Sequence, residues 1–224
     1  MAAKRQTITA ALFTALLGTA SVVSAAPSPA TGVSKGFKLV AHIISADKTL
    51  SVPIQGALLE GAHVGAGLNT AILNTTSPGQ IFYQNGTAEE VSSGKSSILS
   101  DGGTPPFPFG VRVTLNSSDL IEPVALAING DIGTPGVTLT TPVLGPGELK
   151  YEKASFIACD ETIAYYGPSW HFAVVKAFEA YPEPAIIPEN CVQISLVPQC
   201  ASLPDLPAGS QSSHEFAHDV RCSK

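Results

Sequence analysis

GAHVGAGLNTAILNTTSPGQIFYQNGTAEEVSSGKSSILSDGGTPPFPFGVRV, residues Gly61 to Val113, decides the fold class. Short β-favouring runs (Ala71–Leu73, Ile81–Gln84, Ile98–Leu99 and Gly110–Leu115) alternate with turn clusters at Asn74–Gly79, Asn85–Gly86, Ser92–Gly94 and Asp101–Pro106. Asn-Gly and Asp-Gly pairs accept the positive φ that reverses an antiparallel chain. No sustained helical period of apolar residues runs through the stretch. It reads as consecutive antiparallel strands, with the rest of the chain completing their core.

The flanking sequence extends the pattern. Gly36–Ile43 alternates apolar and polar residues and predicts a first strand, and Val52–Leu59 predicts the start of a second, with Pro53 suited to an edge. Downstream, Val124–Asn129, Gly136–Thr140, Ser155–Cys159, Trp170–Phe178 and Val192–Val197 are further strand candidates. The segment from Ala201 is rich in Pro and Ser until Ser212–Val220, where a short helix is expected. About ten short strands without strand–helix alternation predict an all-β fold. The expected architecture is an antiparallel β-sandwich with Greek-key-like connections and an irregular, disulfide-bonded C-terminal segment. No repeat of fixed period is visible.

The first 25 residues read as a secretion leader. Lys4 and Arg5 open it, Ile8–Val23 is apolar with few interruptions, and Val23-Ser24-Ala25 offers small residues for cleavage. A single membrane anchor is the competing reading, disfavoured by the short and interrupted apolar run. Residues 26–34 form a Pro/Ser/Ala tail expected to be disordered, and 35–224 a single secreted domain. Without Lys4 and Arg5, ten basic residues face eighteen acidic ones, a net charge of −8. That balance argues against nucleic acid and anionic membrane as partners, and no later segment is long and apolar enough to span a bilayer.

Four cysteines, Cys159, Cys191, Cys200 and Cys222, lie in the last third of the chain. An even count behind a secretion leader predicts two disulfides. Cys191 and Cys200 bracket a strand and would stand about 30 Å apart at roughly 3.3 Å per residue, too far to pair with each other. If Trp170–Phe178 lies between Ser155–Cys159 and Val192–Val197, the outer strands run parallel, and the expected bonds are Cys159–Cys200 and Cys191–Cys222. Asn74, Asn85 and Asn116 head glycosylation sequons in or beside turns.

One catalytic pattern matches letter for letter. His214-Glu215-Phe216-Ala217-His218 is H-E-x-x-H, which on a helix places two imidazoles on one face to hold Zn²⁺, with Glu215 activating a water. Only six residues follow His218, so the third ligand would have to come from Asp219, Cys222 or an upstream His42, His63 or His171. The surroundings, a Ser-rich tail after Pro204, Pro207 and Gly209, suit a capped turn better than a buried helix. Gly94-Lys95-Ser96 lacks the leading glycine of a phosphate loop, since Glu89 stands there. His63 sits on a glycine-rich bend, where a hydrogen-bonded structural role competes with a site role. The pair Glu89-Glu90 on a strand would point to opposite faces, and solvated turn charges are the simpler account. There is no G-x-S-x-G elbow. The aromatic set Phe107, Phe109, Tyr165, Tyr166 and Trp170 belongs to the core by default; exposed on a flat face, it would offer a stacking surface for carbohydrate.

Four strings carry a family resemblance: His63–Asn69, Asn85–Glu90, Ser100–Gly110 and Ser213–Phe216. Together they resemble a family of small secreted fungal proteins labelled only as a domain of unknown function, over Lys35 to Cys222. The resemblance implies a fungal, secreted, mostly β protein, and implies that Ser213–Phe216 is the family's own tail pattern rather than a protease signature. It brings no catalytic residues. The combined expectation is an extracellular, non-catalytic protein, cell-wall-associated or effector-like, whose partner is a wall polysaccharide or a host molecule and which needs no cofactor. The alternative is a zinc-dependent hydrolase using His214, His218 and Glu215.

Overall fold

In the computed structural model of the chain, the residues described are 30–44, 48–114, 123–152, 154–179 and 187–224. The leader, residues 26–29 and the Asn116 sequon lie outside them. Among the described residues, alternating apolar positions make sixteen strands. The first seven are β1 (Thr31–Ser34), β2 (Gly36–Ile43), β3 (Leu58–Gly65), β4 (Leu68–Asn74), β5 (Phe82–Asn85), β6 (Ser97–Gly102) and β7 (Phe107–Arg112). They are followed by β8 (Val124–Ala125), β9 (Ala127–Asn129), β10 (Val137–Leu139), β11 (Leu149–Tyr151), β12 (Ala154–Thr162), β13 (His171–Glu179), β14 (Cys191–Ala201), β15 (Ala217–His218) and β16 (Val220–Ser223). One short helix, α1 (Ala88–Ser92), interrupts them between β5 and β6. Among the described residues no helix is long and apolar enough to cross a membrane.

The expected sandwich is instead a closed barrel. Hydrogen bonding runs through nine strands in the order β14–β2–β5–β6–β7–β9–β4–β13–β12, and β12 then pairs β14 to complete the ring. Every junction is antiparallel, from the eight-pair ladder of β2 with β14 to the nine-pair ladder of β12 with β13. The joint of β4 with β9 is the shortest, the single pair Thr70–Ala127. Beside that joint, β8 pairs β13 directly through Ala125–Lys176 and Val124–Ala177. The β3–β4 hairpin therefore fills the wall between β2 and β13. Closure removes the edges a sandwich would expose.

Inside, strict alternation supplies the core. Phe37, Leu39 and Ala41 of β2, Val192, Ile194 and Leu196 of β14, and Ala173, Val175 and Ala177 of β13 point into one apolar cluster. A buried polar chain also lies within: Gln84 Nε2 donates to Ser96 Oγ (3.0 Å), which is hydrogen-bonded to Thr138 Oγ1 (2.8 Å). Gly110 marks a close approach, since a Cβ there would lie 2.0 Å from the Gly133 nitrogen.

Three further expectations are corrected. Residues 31–34, assigned by composition to a disordered tail, form β1 against β16. Ser212–Val220, expected to be a short helix, holds β15, paired to β5, and the start of β16. The disulfides are Cys159–Cys191 and Cys200–Cys222, not Cys159–Cys200 and Cys191–Cys222. The pairing argument had placed β13 between β12 and β14. In fact β12 is the middle strand, so β14 runs antiparallel to it and brings Cys191 opposite Cys159 with Cα atoms 4.0 Å apart. β16 lies parallel beside the end of β14 and delivers Cys222 to Cys200.

Non-reducing peptide mapping is therefore expected to recover Cys159 linked to Cys191 and Cys200 linked to Cys222, and no crossed species. The double variant Cys159→Ala/Cys191→Ala, which frees a loop of 32 residues, is expected to lose about 3–4 kcal/mol in urea unfolding.

Candidate functional site

The zinc reading requires a helix through His214–His218, and the backbone there is a turn followed by β15. The two imidazoles take separate partners. His214 Nε2 meets Asp101 Oδ2 at 2.7 Å, and His218 Nε2 donates to the Gly86 carbonyl at 2.7 Å. Glu215 is exposed, its amide donating to Ser213 Oγ. Among the described residues no three His, Cys, Asp or Glu side chains converge as metal ligands. Of the upstream histidines, His42 contacts Gln55, His63 contacts Tyr165 and His171 contacts Asp160. In this geometry His214 and His218 fasten the C-terminal tail to β6 and to the end of β5.

The fastening has a definite chemistry. Tyr83, fully buried on β5, donates its hydroxyl to Asp101 Oδ1 (3.3 Å) and packs edge-on against His214 with ring centroids 4.8 Å apart. Burial, reinforced by the Asp101 carboxylate, pushes the Tyr83 phenol far above its usual range. It therefore stays protonated and donates to Asp101. Asp101 accepts from both rings, and the tail between β14 and β15 is held down at its far end.

The other candidates separate by exposure. Phe107 and Phe109 stack at 4.7 Å over Gly102 and Gly103 and are partly buried in the wall. Glu89 and Glu90 lie in the first turn of α1, not on a strand, and Glu90 closes a capping box with Thr87. Ser96 of the Gly94-Lys95-Ser96 string is buried in the core. Asn74 Oδ1 accepts from the amide and hydroxyl of Thr76, whereas Asn85 sits in β5 beside β15.

Tyr165, Tyr166 and Trp170 are different. All three stand on the loop joining β12 to β13, and they are 59%, 36% and 65% exposed. A 3-10 turn, Ala164–Tyr166, starts the loop. Gly167 at φ +85° then reverses the chain, a conformation side chains resist, so that Pro168–Trp170 returns to β13. Beneath the loop lies a second apolar cluster, outside the barrel: Ile163, Ala62, Ile72 and Val174, with Val64 and Phe172 packed against it. The rings continue from it in an edge-to-face series. Phe172 meets Tyr166 at 5.0 Å, Tyr166 meets Tyr165 at 5.4 Å, and Tyr165 meets His63 at 5.5 Å. Tyr165 and Tyr166 are packed between Phe172 and His63, and Trp170 stands exposed on the same loop.

The stem of that loop is pinned by one carboxylate. Asp160 of β12 takes a hydrogen bond from Ser51 Oγ and contacts His171 Nδ1 of β13 at 2.7 Å. The Ser51 hydrogen bond, followed by that of His171, holds the Asp160 carboxyl below the usual carboxylate range. Its backbone bonds Asn190, next to Cys191, on both sides. The three rings are visible in the sequence, whereas the anchor is not, because Ser51 and Asp160 are 109 residues apart. The capping box Thr87-x-x-Glu90 was a readable signal for α1 that β-pattern reasoning passed over.

Comparison with known proteins places the chain among fungal relatives. The model of a family described as a domain of unknown function (DUF7907) matches residues 34–200. An antigenic protein of Stachybotrys chartarum, SchS34, is 36% identical over 200 residues, covering 87% of this chain and 88% of that one. No solved structure matches. The family match stops at residue 200, so the tail string Ser213–Phe216 lies beyond it.

Because the folded-state pKa of Asp160 is depressed, its contribution is complete above about pH 3.8 and disappears as the pH falls through its lower folded value. The melting temperatures of wild type and Asp160→Asn are expected to differ at neutral pH and to converge in acid; a constant gap from pH 7 to pH 2 would contradict the assignment. His214→Ala is expected to cost about 1–3 kcal/mol in urea unfolding, through loss of the Asp101 contact and the packing on Tyr83.

Proposed function

The chain belongs to the family described as a domain of unknown function (DUF7907), and from that membership we propose that it is an exported, non-catalytic binding module working outside the fungal cell. The observation that carries the proposal is the loop Ile163–Trp170, which presents exposed rings on a rigid wall. Large aromatic side chains left in water lose burial free energy on the order of 2 kcal/mol each, so a grouped and packed set of them marks a contact surface. Export is supported by the leader at residues 1–25, by two disulfides of the kind oxidising compartments permit, and by sequons at Asn74, Asn85 and Asn116. The name of the fungal relative, an antigenic protein, is in keeping with a chain met outside the cell.

Absence of catalysis rests on how the reactive side chains are used. His214, His218 and Asp101 are spent on holding the tail, and Asp160 and His171 on the loop stem. The test is capture. Disulfide-intact protein and its Tyr165→Ala/Trp170→Ala variant are each incubated with fungal cell-wall material and with extracellular protein fractions. Retention of wild type on one fraction, reduced at least tenfold in a variant with an unchanged melting temperature, is the expected result. Equal retention of both proteins, or of neither, would end the proposal.

A further inference from the structure

We propose that the rings of the Ile163–Trp170 loop take a single, non-crystalline chain of a neutral β-linked glucan, an assignment that rests on the binding role above and names its ligand class. A β-glucose ring carries its hydroxyls equatorially, so both of its flat faces present C–H groups that pack on an aromatic ring, while the rim requires hydrogen-bonding partners. Tyr165, Tyr166 and Trp170 supply exposed rings on one loop, and the tyrosine hydroxyls and the neighbouring His63 imidazole supply polar groups for the rim. An axial hydroxyl would make one of those faces polar, and a sulfated or acidic sugar would bring an anionic charge to the rim.

Ring orientation narrows the ligand further. A crystalline cellulose or chitin face needs coplanar rings. Here successive planes are turned by 88° between His63 and Tyr165, 70° between Tyr165 and Tyr166, and 53° between Tyr166 and Phe172. No flat surface can lie against all of them. A single chain that twists from one sugar to the next can present successive faces to rings that turn with it.

Charge points the same way. On the flanking strands β12 and β13, Lys176 pairs Glu161 at 2.6 Å, and Asp160 faces Ser51 and His171. With a net charge of −6 over the whole chain, nothing here draws an acidic polymer or an anionic lipid surface, and a neutral ligand leaves no buried charge unmatched.

Trp170 is the chain's one tryptophan, so its emission reports on this loop alone. The full folded protein is titrated with soluble laminarin oligosaccharides and, separately, mixed with crystalline cellulose and crystalline chitin. The expected result is a saturable change in Trp170 emission with laminarin, weakened at least tenfold in Tyr165→Ala, and no sedimentation with either crystalline solid. A second variant, Tyr166→Phe, keeps the ring and is expected to retain binding within about threefold. Silence of Trp170 toward laminarin, or equal binding by Tyr165→Ala, would overturn the proposal. So would tight retention on the crystalline solids. An emission change with an extracellular protein fraction but no glucan would overturn the glucan assignment while leaving the binding role standing. A change that follows protein concentration alone would identify a second copy of the chain as the occupant and overturn the glucan assignment too.

Discussion

The pairing of β12 with β14 is the contact on which the architecture depends. Four residue pairs, Phe156–Ile194 through Cys159–Cys191, join the two strands. β12 already pairs β13 along nine residues and β14 already pairs β2 along eight, so this short ladder completes the ring. Without it the same strands would form an open sheet with unpaired amides on both edges, a template for association with other chains. The Cys159–Cys191 bond spans the very last pair of that ladder. A covalent link across the closing seam limits how far it opens, and it acts on the unfolded chain as well by shortening the loop to be closed.

Closure also explains how one strand, β13, serves two apolar clusters that face opposite ways. Ala173 and Val175 of β13 look into the barrel, while Phe172 and Val174 look out and build the small cluster under the aromatic loop. Period-two alternation permits this division on one strand. The inner cluster stabilises the fold; the outer one fixes the orientation of groups that face water. A loop seated on packed side chains loses little freedom when it meets a partner, and pre-organisation of that kind is what separates a binding surface from a merely greasy one.

Much of the strand pattern could be read directly. Phe37, Leu39 and Ala41 alternate as buried strand residues must, and Gly36–Ile43 is β2 residue for residue. Asn85-Gly86 and Asp101-Gly102 sit where β5 and β6 end. The closing ladder could not be read, because alternation reports which face is buried and is silent on which strand lies alongside. That gap misled the disulfide assignment: the distance argument that kept Cys191 from Cys200 held, while the order of β12, β13 and β14 was assumed. The helix expected at H-E-x-x-H is absent for a related reason. The motif's chemistry belongs to a helix, and Pro204, Pro207 and Gly209 precede a segment whose partner, β5, lies more than a hundred residues earlier. For the aromatic loop, Tyr165-Tyr166-Gly167-Pro168 marked a turn correctly, but ring exposure depends on the tertiary wall beneath it.

The pairing of β1 with β16 places Thr31 opposite Ser223, and the Lys224 amide donates to the Ala30 carbonyl at 2.9 Å. Polypeptide attached ahead of residue 30 and polypeptide attached behind residue 224 would thus leave from one spot on the surface. Tethering through either end presents the same hemisphere outward, so a display orientation cannot be inverted by moving the anchor. The same adjacency means a few spacer residues could splice the two ends and allow the backbone to be opened at a different exposed turn, yielding a permuted chain with an unchanged barrel.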